Sequence, residues 1–167
     1  MENLQSKVQE VLEREPGSLP GTIALELGVT EWQVLEAMPT EIVTVVSGEH
    51  AQSLLEGLVD WGNVTTIINS HGSIFEVKAP FPKGKLARGY YNLMGKEGEL
   101  HGHLRLELVT NIALISKDFM GKESHNFSFH TESGDCMFKI YLGRDKKRNL
   151  IPEQVEKFKQ LKQSFSK

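Results

Sequence analysis

The sequence predicts an α+β chain in which N-terminal helices precede a large, mainly antiparallel β-sheet and one C-terminal helix closes the fold. Three observations carry this. Apolar residues recur at helical spacing before residue 40. Short β-branched or alternating runs separated by Gly, Pro, Asn and Ser fill the stretch from Ile42 to Gly143. A final amphipathic run follows Pro152.

Leu4, Val8, Val11 and Leu12 form the first helical stripe, which Glu15-Pro16-Gly17 ends. Two short helices follow, Leu19 to Leu27 and Glu31 to Met38, with Gly28 as a C-terminal glycine and Thr30 as an N-cap. Together they read as a helix-turn-helix. The strand runs are IVTVV, NVTTIIN, SIFEVKA, ARGYYNL, HLRLELV, NIALIS, HNFSFH and CMFKIYLG, with a short helix from His50 to Leu58 between the first two. In the last helix Val155, Phe158, Leu161 and Phe165 form an apolar stripe with lysines opposite. Residues 1–40 are thus expected as an acidic helical cap and 41–167 as an antiparallel-sheet domain with its C-terminal helix, the two forming one unit.

A chain of 167 residues buries one sizeable core. Its hydrophobic fraction of 39% is ordinary for a globular protein, and no stretch approaches the roughly 20 apolar residues of a membrane span. The start of the chain is acidic and amphipathic, where a secretory signal has a basic start and an apolar run. The single cysteine, Cys136, makes no intrachain disulfide or cysteine cage. A cytoplasmic setting without membrane insertion is the expectation.

The net charge of −3 conceals an asymmetry. Residues 1–60 carry Lys7 and Arg14 against eleven carboxylates, a balance of −9, and the remaining 107 residues carry 17 cations against 11 carboxylates, or +6. An anionic ligand therefore favours the second region. A DNA-reading helix needs cations facing phosphates, whereas Glu31, Trp32, Gln33 and Glu36 sit in the acidic region, so a packing or docking role for these helices is favoured over nucleic acid.

The informative segment is Ala87 to Leu108, where Gly95-Lys96-Glu97-Gly98 reads as the loop of a hairpin. That loop places Leu93 opposite Leu100, Tyr91 opposite Gly102 and Gly89 opposite Leu104 on a core face that Leu106 and Leu108 continue. The other face gathers Asn92 with His101, Tyr90 with His103, and Arg88 with Arg105. A phenol, two imidazoles and two guanidiniums on one surface suit haem, whose iron takes tyrosinate or histidine and whose carboxylates pair with arginine. Ferric iron and a neighbouring guanidinium favour the phenolate, which makes Tyr90 the candidate axial ligand. A slip of one residue would exchange Tyr90 for Tyr91 and set leucines beside histidines. A solvated structural face is the competing reading.

Other constellations are weaker. His101-Gly102-His103 suits a bare metal only if His71, His125, His130 or a carboxylate supplies further ligands. His71-Gly72 reads as a turn, His125 and His130 bracket a core strand, and Lys83-Gly84-Lys85 reads as a basic loop, able to meet a propionate or simply solvated. The chain contains no G-x-S-x-G motif and no phosphate-binding glycine loop.

The strings WGNVTTI, SIFEVKAPFPKGKLARGYYNLMG, LHGHL, FMGKESH, FKIYLGRD and IPEQVEKF resemble the HutX/ChuX family of intracellular haem-utilisation proteins along essentially the whole chain. The resemblance implies the haem-utilisation HutX/ChuX/HemS-like fold, a homodimer, and haem b (iron protoporphyrin IX) as the bound group. It implies a cytoplasmic carrier that accepts imported haem and hands it to a HutZ-like haem-degrading enzyme. The family's G-Y-[YF]-N-L tyrosine falls on Tyr90 and its G-H-[IL] histidine on His103, a candidate second ligand. Arg88, Arg105, His101 and Tyr91 complete the candidate site. Some relatives carry a candidate histidine where this chain has Asn69, so no role transfers there. Two rival functions remain at this level: an enzyme that degrades haem or releases its iron, and a DNA-binding regulator acting through the first helices.

Overall fold

The computed structural model describes residues 3–166. Helix α1 spans Leu4–Arg14, where Asn3 caps the start by accepting from the Ser6 N–H at 2.9 Å. Helix α2, Pro20–Leu27, begins on its proline and ends at Gly28 in the left-handed region. Helix α3, Glu31–Ala37, starts in a reciprocal capping box between Thr30 and Gln33. Strand β1, Val43–Ser47, leads through a short 3₁₀ turn into α4, Ala51–Leu58. Strands β2 (Asn63–Ser70), β3 (Ser73–Pro80), β4 (Gly84–Ala87), β5 (Tyr90–Met94), β6 (His101–Leu104), β7 (Val109–Ser116), β8 (His125–Thr131) and β9 (Cys136–Leu142) follow, and α5, Pro152–Phe165, closes the order.

The strands form two sheets. Six of them run β1-β7-β8-β9-β2-β3 with every pairing antiparallel, and β4-β5-β6 form a separate antiparallel sheet of three. Alternation along the central strands sorts side chains between two cores. Ile112 and Leu114, Phe127 and Phe129, and Phe138 and Ile140 point to one face, where they meet α4, α5, Phe81 of the β3–β4 connection and the inner side of the small sheet at Tyr91 and Leu93. Aromatic contacts hold that core: Phe129 stacks on Phe138 at 4.5 Å and Phe127 meets Phe158 of α5 edge-on at 5.1 Å. Ala113 and Ile115 point to the other face, where α1, α2 and α3 pack with Val8, Val11, Ile23, Trp32 and Leu35.

Two polar devices fix the helices to the sheet. Lys139 of β9 reaches Glu31 at 2.7 Å, both side chains mostly buried, while Trp32 lies against His130 of β8 with ring centroids 5.1 Å apart. Gln154 of α5, 1% exposed, accepts from the Gly143 N–H at 2.7 Å and donates to the Trp61 and Asn63 carbonyls at 2.9 and 2.8 Å. That amide satisfies three backbone groups that burial would otherwise orphan. No helix among the described residues is long and apolar enough to cross a membrane.

The strands differ from the sequence expectation in three places. ARGYYNL is two strands rather than one, because Arg88 and Gly89 turn the chain between β4 and β5. HLRLELV is broken as well: β6 ends at Leu104, and Leu106–Leu108 form a 3₁₀ turn before β7. The basic run Lys83-Gly84-Lys85 contributes to β4 rather than to a loop.

Candidate functional site: the outer face of the small sheet

The small sheet has one buried and one open side. Strands β4 and β5 are joined by a two-residue turn with Arg88 at φ 58° and Gly89 at φ 80°, the pattern of a type I′ hairpin. Gly89 adopts this backbone freely, whereas Arg88 bears a cost of roughly 1–2 kcal/mol. Gly84 meets a different demand, since any Cβ there would overlap the Tyr91 ring. Tyr91 and Leu93 of β5 share the inner side with Gly102 and Leu104 of β6. Tyr90, Asn92 and Met94 share the outer side with Lys85, His101 and His103.

The register of the hairpin is shifted by two residues from the one the turn motif suggests. Asn92 pairs with His103, Met94 with His101, Leu93 with Gly102 and Tyr91 with Leu104. The connection runs from Gly95 to Leu100, drawn tight where the Glu99 N–H donates to the Lys96 carbonyl at 2.9 Å. An even shift leaves every residue on its expected face and changes only its partner. Tyr90 therefore meets His103 diagonally, edge-to-face, with centroids 5.7 Å apart. Arg88 does not oppose Arg105, because it occupies the turn, and Leu106 and Leu108 do not prolong the strand.

The two tyrosines are sharply distinguished. Tyr90 is 39% exposed, while Tyr91 is fully buried and its hydroxyl has no hydrogen-bond partner. Burial, with a smaller push from the Glu56 charge, raises the Tyr91 pKa above the ordinary phenol value, so its phenolate is disfavoured. The guanidiniums differ too. Arg105 donates to Glu107 at 2.6 and 3.2 Å, and its pKa is raised chiefly by that hydrogen bond and charge, with a smaller contribution from Tyr90. Arg88 is exposed and has no hydrogen bond or ion pair among the described residues.

Asn92 is a feature that the sequence reading placed on this face but gave no role. Its amide Nδ2 donates to the carbonyls of Lys85, Ala87 and Tyr90 at 3.0, 3.1 and 3.2 Å, and its Oδ1 lies 2.6 Å from His103 Nδ1. One side chain thus ties β4, the hairpin turn and β6 together. Nothing in the local sequence signals this, since it depends on which residues the true register sets opposite.

The remaining histidines lie elsewhere. His71 occupies the β2–β3 turn at φ 52°, with Asn69 accepting from the Gly72 N–H. His125 is buried between Ser116 and Glu123, at 2.8 and 3.0 Å, with its ring on Phe158. Among the described residues, the grouping of metal-ligand types is Glu31, His130 and Cys136, with ligand atoms within 4.8 Å of one another; it excludes His101 and His103. The Lys139 ammonium already occupies its carboxylate, and burial raises the Cys136 thiol to about 11. A surface concavity of about 520 Å³ lined by Lys122, Arg144, Arg148 and Val155 shares no residue with the Tyr90 face. The Tyr90 face is an open sheet surface.

The family model described as haem utilisation ChuX/HutX matches residues 44–161. The intracellular heme transport protein HutX of Vibrio cholerae serotype O1 (strain ATCC 39315 / El Tor Inaba N16961) is 61% identical over 163 residues, which cover 98% of this chain and 84% of that protein. Two solved structures of ChuX, one described as a heme-binding protein, superpose with TM-scores of 0.87 and 0.86 at 37% and 34% identity. They cover 95% and 96% of this chain and 97% and 99% of theirs. The Escherichia coli O157:H7 heme-degrading enzyme ChuS shares the fold alone, with a TM-score of 0.73 at 17% identity; 92% of this chain corresponds to 44% of that one.

Proposed function

The chain belongs to the ChuX/HutX haem-utilisation family, and from that premise we propose that it is a carrier, not an enzyme, which holds haem b on the outer face of its small sheet and passes it on in the cytoplasm. The observation that carries this reading is the exposed Tyr90 phenol in contact with His103, while its neighbour Tyr91 is sealed in the core. A phenolate oxygen is a hard anionic ligand that favours ferric over ferrous iron, which suits holding over reductive chemistry.

The side chains around Tyr90 fit a flat dianion. Tyr90 would hold the iron through its phenolate oxygen. His103 stands beside it on the same side, its ring against the Tyr90 ring edge-to-face. Arg88, unpaired on its turn, and Lys85, on the same face, are the cations placed for the propionates, and each charge-assisted hydrogen bond contributes about 1.5–3 kcal/mol where water is excluded. Arg105, already paired with Glu107, serves a propionate only by giving up that partner. His101, opposite Met94 at the start of β6, borders the site.

Two copies of the chain complete the arrangement. The open Tyr90 face, with Met94 exposed on it, gives a second copy surface to cover. The acceptor is a HutZ-like haem-degrading enzyme.

Aerobic incubation of the ferric complex with an electron donor tests the carrier reading. Haem absorption that persists, and that moves to an added apo-acceptor, is the expected result. Loss of the haem band with formation of a cleaved tetrapyrrole would make the protein an enzyme.

A further inference from the structure

Asn92 and His103 face each other directly across β5 and β6, and the hydrogen bonds around the amide settle which of its atoms is which. Three backbone carbonyls, of Lys85, Ala87 and Tyr90, lie 3.0–3.2 Å from Nδ2. Carbonyl oxygens only accept, so the amide nitrogen has to be on that side; a flipped amide would press Oδ1 against three acceptors. Oδ1 is therefore fixed toward β6, where it lies 2.6 Å from His103 Nδ1. An amide oxygen cannot donate, so the proton of that hydrogen bond belongs to the imidazole. A neutral imidazole with its proton on Nδ1 carries a free lone pair on Nε2.

From this geometry we propose that Asn92 is a positioning residue that holds neutral His103 in its Nδ1–H tautomer, so that the nitrogen offered on the open face beside Tyr90 is the unprotonated Nε2, a hydrogen-bond acceptor and not a donor. The inference rests on the reading of this face as the haem site and adds to it the protonation pattern of its imidazole. Orientation of a ligating histidine by a hydrogen bond on its far nitrogen is the usual way proteins set such a ring. Here the orienting group is itself locked, because its two N–H protons are committed to the β4–β5 hairpin. The turn that carries Arg88 and the imidazole beside Tyr90 are in this way coupled through one side chain.

The test reads the tautomer in the haem-free protein. Long-range proton–nitrogen spectra of the imidazole groups, with His103 assigned by comparison with His103→Gln, are expected to show a protonated Nδ1 and an unprotonated Nε2. Asn92→Leu should lose that pattern and shift toward the Nε2–H form that free histidine prefers. The His101 imidazole, two residues along β6 and opposite Met94 rather than Asn92, should keep its wild-type signals in Asn92→Leu, which guards against a variant that merely perturbs the hairpin. An Nε2–H tautomer in the wild type, or an unchanged pattern in Asn92→Leu, overturns the proposal. A second arm uses ferric haem: Asn92→Leu and His103→Leu should change its absorption spectrum in the same direction, with the double variant adding nothing further. A wild-type spectrum in Asn92→Leu alongside a changed one in His103→Leu also overturns it. Failure of the haem reading itself would look different, as Tyr90→Phe and His103→Leu would both leave haem spectra unchanged while the tautomer pattern persisted.

Discussion

Tyr90 and Tyr91, adjacent in the chain, end on opposite sides of β5: the first is 39% exposed against His103, and the second is fully buried behind Gly84 with an unpartnered hydroxyl. Strand geometry alone produces the split, since successive side chains alternate between faces. One ring is available to a ligand and the other holds the small sheet on the main core.

The buried tyrosine gives the first prediction. Tyr91→Phe removes a hydroxyl that has no partner and keeps the ring, so stability is expected to be unchanged or to rise by up to about 1 kcal/mol in chemical denaturation. Gly84→Ala pushes a methyl into the same ring and should cost about 1–3 kcal/mol. A marked loss of stability in Tyr91→Phe would mean that the hydroxyl is bonded after all.

The guanidiniums give the second. Arg88 is unpaired and Arg105 is held by Glu107, so Arg88→Ala should weaken ferric-haem binding more than Arg105→Ala. A tenfold loss corresponds to about 1.4 kcal/mol, within the range for one charge-assisted hydrogen bond. Equal affinities for the wild type and Arg88→Ala in a haem titration would assign Arg88 to solvent.

How acid affects the helical cap is the third. Burial holds the His130 imidazole below its ordinary pKa, against the opposing pull of Glu31, the Gly134 carbonyl and Asp135, with Lys139 adding to the depression. A base whose folded pKa is depressed stays neutral in the native state while the unfolded chain takes up a proton. Stability is therefore whole above the unfolded value and falls as pH drops through about 6.5, levelling off below the folded pKa. Because His130 packs on Trp32, urea unfolding followed by tryptophan fluorescence should show lower midpoints at about pH 5.5 than at about pH 7.5. His130→Gln should remove much of that difference, and an equal drop in the variant would assign it to other groups.

The fold was legible wherever periodicity extended over several residues. All five helices and most strands follow from the stripes and alternation, and so does the side of the small sheet on which Tyr90, Asn92, His101 and His103 lie, because an even register shift preserves faces. Pairing partners were not legible. Gly95 to Gly98 resembles a complete turn, yet the connection runs on to Leu100, and the alternation of HGHL fits either register. The Arg88-Gly89 turn lacks the Asn or Asp that marks a type I′ hairpin, so ARGYYNL reads as one strand. Long-range pairs such as Glu31 with Lys139 leave no trace in local pattern. Neither does the Asn92–His103 contact, which exists only in the true register.

The most direct test of the haem site is an absorption titration with ferric haem on the wild type, Tyr90→Phe and Tyr91→Phe. Replacing Tyr90 removes the oxygen proposed to bind the iron while keeping the ring, so its complex should differ from the wild type in spectrum and bind more weakly. Tyr91→Phe should be indistinguishable from the wild type. The same spectrum and affinity for all three proteins would contradict the assignment of the outer face of the small sheet as the haem site.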